Sequence, residues 1–141
     1  MYALKASRFP AAFLIWSLLT SPSVLAGGGH DEKKVTYPTY MPMNPAIVVN
    51  LAGTTRTRFL RVEIQLYVQT AEDAQAIDRN MPVLRDKLVT MLGGRDPDSL
   101  QQPGAREALR NELREALRDT LMLNAGREAI DDLFFTGFIM Q

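Results

Sequence analysis

The order of apolar and polar positions along the chain divides it into elements. From Arg58 to Gln69 the residues alternate, with Leu60, Val62, Ile64, Leu66 and Val68 on one side and Phe59, Arg61, Glu63, Gln65, Tyr67 and Gln69 on the other. A period of two sustained over this length predicts a strand with one face buried and one largely wet, as in an antiparallel sheet. Just before it, Ala46–Leu51 is a short β-branched run, and Gly53 with two threonines suits a turn, so the two form a hairpin. After Thr70 the period changes. Ala74, Ile77, Met81, Leu84, Leu88 and Met91 step by three and four, which is a helix face. Thr70 is placed to cap this helix and Gly93-Gly94 to end it. Pro82 lies inside it and predicts a kink or a split near Asn80.

Arg95–Gln102 reads as a loop, with Asp96, Pro97, Asp98 and Ser99 as turn residues. Pro103 suits the first turn of a second helix, on which Leu109, Leu113, Ala116, Leu117 and Leu121 form the stripe. Its other face is rich in arginine with acids interleaved, including the i,i+3 pairs Glu107–Arg110 and Glu115–Arg118, and reads as a solvated face. Asn124 or Gly126 ends the helix. Ile130–Gln141 is a final strand. Uninterrupted alternation groups Phe134, Phe138 and Met140 on one face against Leu133, Phe135 and Ile139 on the other. The resulting order, β-β-α-α-β, is an α+β layer of two helices on a small antiparallel sheet.

The amino-terminal part has a different character. Residues 1–26 carry Lys5 and Arg8, the apolar run Ala11–Leu19, a break at Pro22, and Val24 and Ala26 at the positions a signal peptidase reads. The same segment, from Phe9 to Ala26, is near the lower limit of a spanning helix, so a retained membrane anchor is the competing reading. Residues 27–45 read as a Gly/Pro-rich linker, with Gly27-Gly28-Gly29, a charged patch and Pro38, Pro42 and Pro45. Tyr37, Tyr40, Met41 and Met43 are the apolar residues within it that can dock on the domain, which is expected over 46–141.

Charge and composition narrow the function. The 141 residues carry 16 basic and 16 acidic side chains. Lys5 and Arg8 lie in the leader, so the rest has 14 basic against 16 acidic, the reverse of a nucleic-acid binder's footprint. There is no cysteine, which excludes disulfides, thiolate metal sites and thiol catalysis. The single histidine, His30, would complete a Cu(II) or Ni(II) site only if cleavage fell after Gly27, and otherwise reads as a linker residue. Asp131 and Asp132 are adjacent on a strand and so point apart, which prevents them from sharing a proton. No phosphate-binding loop or nucleophile elbow is present. The sequence therefore nominates no catalytic, metal-binding or cofactor-binding residue.

What it does nominate is a surface. One helical layer covers one face of a sheet, yet the final strand is apolar on both faces and the wet face of 58–69 carries Phe59 and Tyr67. Exposed apolar surface of this kind marks an interface. The candidates are Phe59, Tyr67, Phe135 and Ile139, with Phe134 as the core-facing counterpart.

Several pieces resemble the FliL family of flagellar basal-body proteins: Ala46–Leu51, the strand Leu60–Val68, Met81-Pro82 with Leu84-Arg85-Asp86 and Met91-Leu92, Pro103-Gly104 with Leu109-Arg110, and the terminal Leu133-Phe-Phe-Thr-Gly-Phe-Ile-Met-Gln141. The resemblance runs collinearly over about residues 40–141. It implies a stomatin/SPFH-like core, no catalytic activity, and a periplasmic domain at the inner membrane. It also implies a homo-oligomeric ring that supports the stator proteins in motility and chemotaxis. The signal-like leader departs from the family's usual spanning helix. It leaves open a soluble periplasmic relative, or a stomatin-like scaffold not tied to motility.

Overall fold

The computed structural model describes residues 35–53 and 56–141. The leader, residues 27–34 with His30, and Thr54-Thr55 of the expected turn lie outside these residues. The elements are β1 (Thr39–Pro42), β2 (Ile47–Asn50), β3 (Phe59–Val68), α1 (Ala71–Leu92), α2 (Pro97–Leu100), α3 (Ala105–Ala125) and β4 (Asp132–Met140). This is the α+β class expected, a small antiparallel sheet with helices on it.

β3 is the centre of the sheet. Along one edge it pairs with β4, from Leu60 opposite Met140 to Tyr67 opposite Asp132. Its other edge is shared, with β1 opposite Gln65–Val68 and β2 opposite Phe59–Val62. β1 and β2 are thus two pieces of one interrupted edge strand. Between them Met43 donates its N–H to the Ile64 carbonyl at 2.9 Å and tucks its side chain into the core at 2% exposure. The sheet therefore starts at Thr39, inside the stretch expected as linker. Pro42 disguised it. The ladder alternation set at Met43 turns the Pro42 nitrogen to the free edge, where a missing N–H costs no bond.

The core is the helix-side face of this sheet. Leu60, Val62, Ile64, Leu66 and Val68 of β3, Ile47 and Val49 of β2, and Leu133 of β4 meet α1 and α3 there. α1 contributes Ala74, Ile77, Leu84, Leu88 and Leu92, and α3 contributes Leu109, Leu113, Leu117 and Leu121. α1 lies against β2, β3 and α3, and α3 against β4. The β3 residues, the α3 leucines and Ala74, Ile77, Leu84 and Leu88 follow the predicted periods, whereas Leu92 takes the buried place expected for Met91.

Helix ends follow local chemistry. The Asp73 N–H donates to Thr70 Oγ1 at 3.2 Å, and the Thr70 hydroxyl donates to the Asp73 carboxylate at 2.7 Å. α1 closes at Gly93, whose N–H reaches the Val89 carbonyl at 2.9 Å, with Gly94 at φ +70°. In the expected loop after it, Asp96 accepts from the N–H groups of Asp98 and Ser99 and starts the single turn of α2. The split expected at Pro82 does not occur, and α1 runs unbroken through it. Pro82 and Asp78, whose carbonyl loses its helical donor, are both exposed, so water can serve that carbonyl.

β4 holds the main departure from expectation. Ile64 pairs with Phe135 but Glu63 pairs with Gly137, so Thr136 is an extra residue, a β-bulge. The alternation is reset there. Leu133, Phe135, Phe138 and Met140 share the helix side, and Phe134 and Ile139 share the other. The grouping read from strict alternation is corrected accordingly, because one inserted residue exchanges the faces of everything beyond it.

Thr70→Ala should lower unfolding free energy by about 1 kcal/mol, the usual worth of a helix N-cap. Leu113→Ala, fully buried at 0% exposure, should lower it by about 2–5 kcal/mol. Urea melts of the two variants against the parent chain measure both.

Candidate interaction surface

The face of the sheet turned away from the helices has no helical cover among the described residues. It is built from the odd-numbered positions of β3 and their cross-strand partners. Phe59 lies opposite Asn50, Arg61 between Val48 and Ile139, Gln65 opposite Phe134, and Tyr67 between Tyr40 and Asp132. Side chains that pair across strands sit close enough to form continuous patches, and two result.

The first patch is Val48, Phe59 and Ile139 around the Arg61 stem. Their exposures are 56%, 46% and 44%, large for aliphatic and aromatic side chains. Together with Gln141 they line a shallow depression of about 280 Å³. The second patch is aromatic. The Tyr40 and Tyr67 ring centroids are 5.0 Å apart, and Tyr40 meets Phe134 edge-to-face at 5.9 Å. Between the patches the Arg61 guanidinium pairs with Glu63 at 2.6 Å. The Glu63 side chain lies over Gly137, where an added Cβ would meet its atoms at 3.0–3.2 Å. Gly137 thus lets a charged side chain lie flat across the sheet.

Three of the four predicted residues, Phe59, Tyr67 and Ile139, share this face. Phe135 does not. It sits on the helix side, packed against the core and 5.4 Å from the Phe138 ring. Phe134 changes places with it, facing outward and only partly buried, so the core role expected for it falls to Leu133. The pattern did not bring forward Tyr40 and Val48. Tyr40 was hidden in the proline-rich stretch. Val48 belongs to a run too short for its faces to be told apart.

A charged rim borders the surface at β4. Arg110 and Arg114 reach from α3 to the Asp132 carboxylate, at 3.1 and 3.4 Å, and the Asp132 Oδ1 also accepts the Leu133 N–H at 2.8 Å. Burial pushes the Asp132 carboxyl up, but the Leu133 N–H and the two guanidinium groups outweigh it and hold the group below the usual carboxylate range. The same network raises Arg110, chiefly through its hydrogen bond to Glu107. The pair Glu107–Arg110 forms at 2.5 Å and Glu115–Arg118 at 3.7 Å. The arginine face of α3 therefore ties the helix to β4 as well as meeting solvent.

Among the described residues no three His, Cys, Asp or Glu side chains converge on a metal-sized site, and no helix is long and apolar enough to cross a membrane.

A carboxyl with a lowered folded-state pKa stabilises the fold above its unfolded pKa, and that stability is lost as pH falls through the folded value. The chain should therefore lose stability from about pH 4 downward. Asp132→Asn should flatten that dependence while lowering stability at neutral pH. Thermal melts at stepped pH read both effects.

A family model described as the flagellar basal body-associated protein FliL matches residues 40–141, which begins within β1 and takes in every later element. Flagellar protein LafL of Vibrio parahaemolyticus serotype O3:K6 (strain RIMD 2210633) is 27% identical over 104 residues, covering 74% of this chain and 62% of LafL. Flagellar protein FliL of Aquifex aeolicus (strain VF5) is 26% identical over 99 residues, covering 70% of this chain and 59% of that protein. The chain thus spans less than two thirds of either relative's length.

Proposed function

The chain belongs to the FliL family of flagellar basal body-associated proteins, and on that premise we propose that it is a non-enzymatic accessory of the flagellar motor. In this reading the 39–141 domain stands in the periplasm and assembles with copies of itself into a ring beside the stator units. The leader exports it, either cleaved or kept as an anchor at the inner membrane. The family supplies the flagellar setting, and relatives with flagellar names are similar over 104 and 99 residues. The observation that carries the assembly is the uncovered sheet face, with Val48, Phe59 and Ile139 each more than two-fifths exposed. Apolar side chains concentrated on one face, with Arg61 and Glu63 paired between them, suit a protein contact.

Phe59→Asp and Ile139→Asp remove apolar surface without opening the core, so each should change stability by no more than about 0.5 kcal/mol. Both should reduce the oligomer seen by light scattering, and reduce swimming when placed in the native gene. Phe135→Asp, set against the core, should instead destabilise the monomer. Normal assembly and motility in the Ile139 and Phe59 variants would remove the face from this role. A deletion strain that swims and swarms normally would favour the scaffold unconnected with motility.

A further inference from the structure

The far edge of β4 carries no neighbouring strand among the described residues. Its backbone pattern follows from Gln141, which exchanges both main-chain bonds with Phe59, at 2.8 and 3.0 Å. Antiparallel alternation then turns Ile139 and Gly137 toward β3 and aims the N–H and C=O groups of Phe138 and Met140 outward. Side-chain cover is incomplete along the same line. The helix-side residues of β3 are all at 3% exposure or less, whereas Phe135, Phe138 and Met140 of β4 are only partly buried. A groove of about 540 Å³ runs between α3 and β4 along Phe134–Phe138.

Two cations overhang the groove. The Arg106 guanidinium stands 4.7 Å from the Phe138 ring centroid and meets no carboxylate within ion-pair range among the described residues. Arg110 lies 5.7 Å from the Phe134 ring, and its Nε is buried with no acceptor. The first half of the edge is closed to a strand. Asp132 already takes the Leu133 N–H, and the bulge at Thr136 interrupts the ladder. The open length is Gly137–Gln141.

We propose that this length of β4 accepts an extended peptide from a partner protein, added as a further strand and alternating acidic with apolar residues. The acidic side chains would face α3 and meet Arg106. The apolar ones would face the other way and extend the patch at Phe134 and Ile139. Main-chain bonds to Phe138 and Met140 supply the affinity, and the cation selects the sequence. A second copy of the chain is the poorer occupant. β1, β2 and the open length of β4 contain no acidic residue to meet Arg106, and β3 is paired along both edges. This edge borders the proposed assembly face at Ile139, but Arg106 and the outward main-chain groups of Phe138 and Met140 lie off that face, so either reading can fail alone.

The test uses the isotope-labelled full chain and a short blocked peptide alternating valine with glutamate. Titration should shift the Phe138 and Met140 amide resonances and slow their exchange with solvent. Arg106→Glu should weaken binding about tenfold, as loss of one charge-assisted contact implies. A valine–lysine peptide should not bind. Met140→Pro should abolish binding, because it removes an outward donor while sparing the ladder to β3. If that variant does not fold, amide exchange in the parent chain still decides. Unchanged Phe138 and Met140 amides, or equal binding of the lysine peptide, would overturn the proposal. So would protection of those amides before any peptide is added, which would give the edge to a second copy or to the chain's own amino-terminal segment.

Discussion

The alternation of β3 is the constraint on which the other elements depend. Its ten residues are hydrogen-bonded on both sides, by β4 along one edge and by β1 and β2 along the other. Five aliphatic side chains point one way and are excluded from water to within 3%. Because side chains alternate strictly, burying those five fixes the positions of Phe59, Arg61, Glu63, Gln65 and Tyr67 on the opposite face. Slipping the register by one residue would place Arg61 and Glu63 under the helices, where charges without partners are prohibitively costly. The buried face is therefore a statement about stability, and the open face is its geometric consequence.

The open face need not have been apolar, and this is where function enters. Polar residues at 48, 59, 67, 134 and 139 would satisfy the fold equally well, since none of them lies in the helix-side core. The sheet instead carries valine, isoleucine and three aromatics there, with a tight Arg61–Glu63 pair between the patches. That pair has little value for stability at such exposure. It does leave two charges neutralised against each other on a surface that is otherwise ready to lose water.

The sequence was informative where one period ran without interruption. The β3 alternation, the leucine stripe of α3, the Thr70 cap and the glycine stops all have local causes that can be read residue by residue. It was less informative where the cause is pairing between distant segments. Nothing in Phe134-Phe135-Thr136-Gly137-Phe138 states that Thr136 is looped out, because the bulge exists only relative to Glu63 and Ile64. Its effect was to exchange Phe134 and Phe135 between core and surface, and with them one of the four predicted interface residues. β1 was hidden in the same way. Pro38, Pro42 and Pro45 read as extended linker, and only the edge position of Pro42 makes that stretch compatible with a sheet. Pro82 shows the converse. A local rule that usually breaks helices was outweighed because the orphaned carbonyl could turn to water.

β4 joins these threads. It closes the core through Leu133, completes the open face through Phe134 and Ile139, and presents the sheet's unpaired edge. An exposed edge strand invites indiscriminate pairing, and proteins restrain it with charge and irregularity. Here both restraints sit in the first half. Asp132 caps the Leu133 N–H and is itself held by Arg110 and Arg114, and the bulge follows at Thr136. Past the bulge the strand's own restraints stop, while the backbone donors, the partly covered Phe138 and Met140 and the overhanging Arg106 remain. If solubility were the only requirement, the unguarded half would be expected to carry the same devices. Their confinement to one half makes the β4 edge selective in where it can be extended.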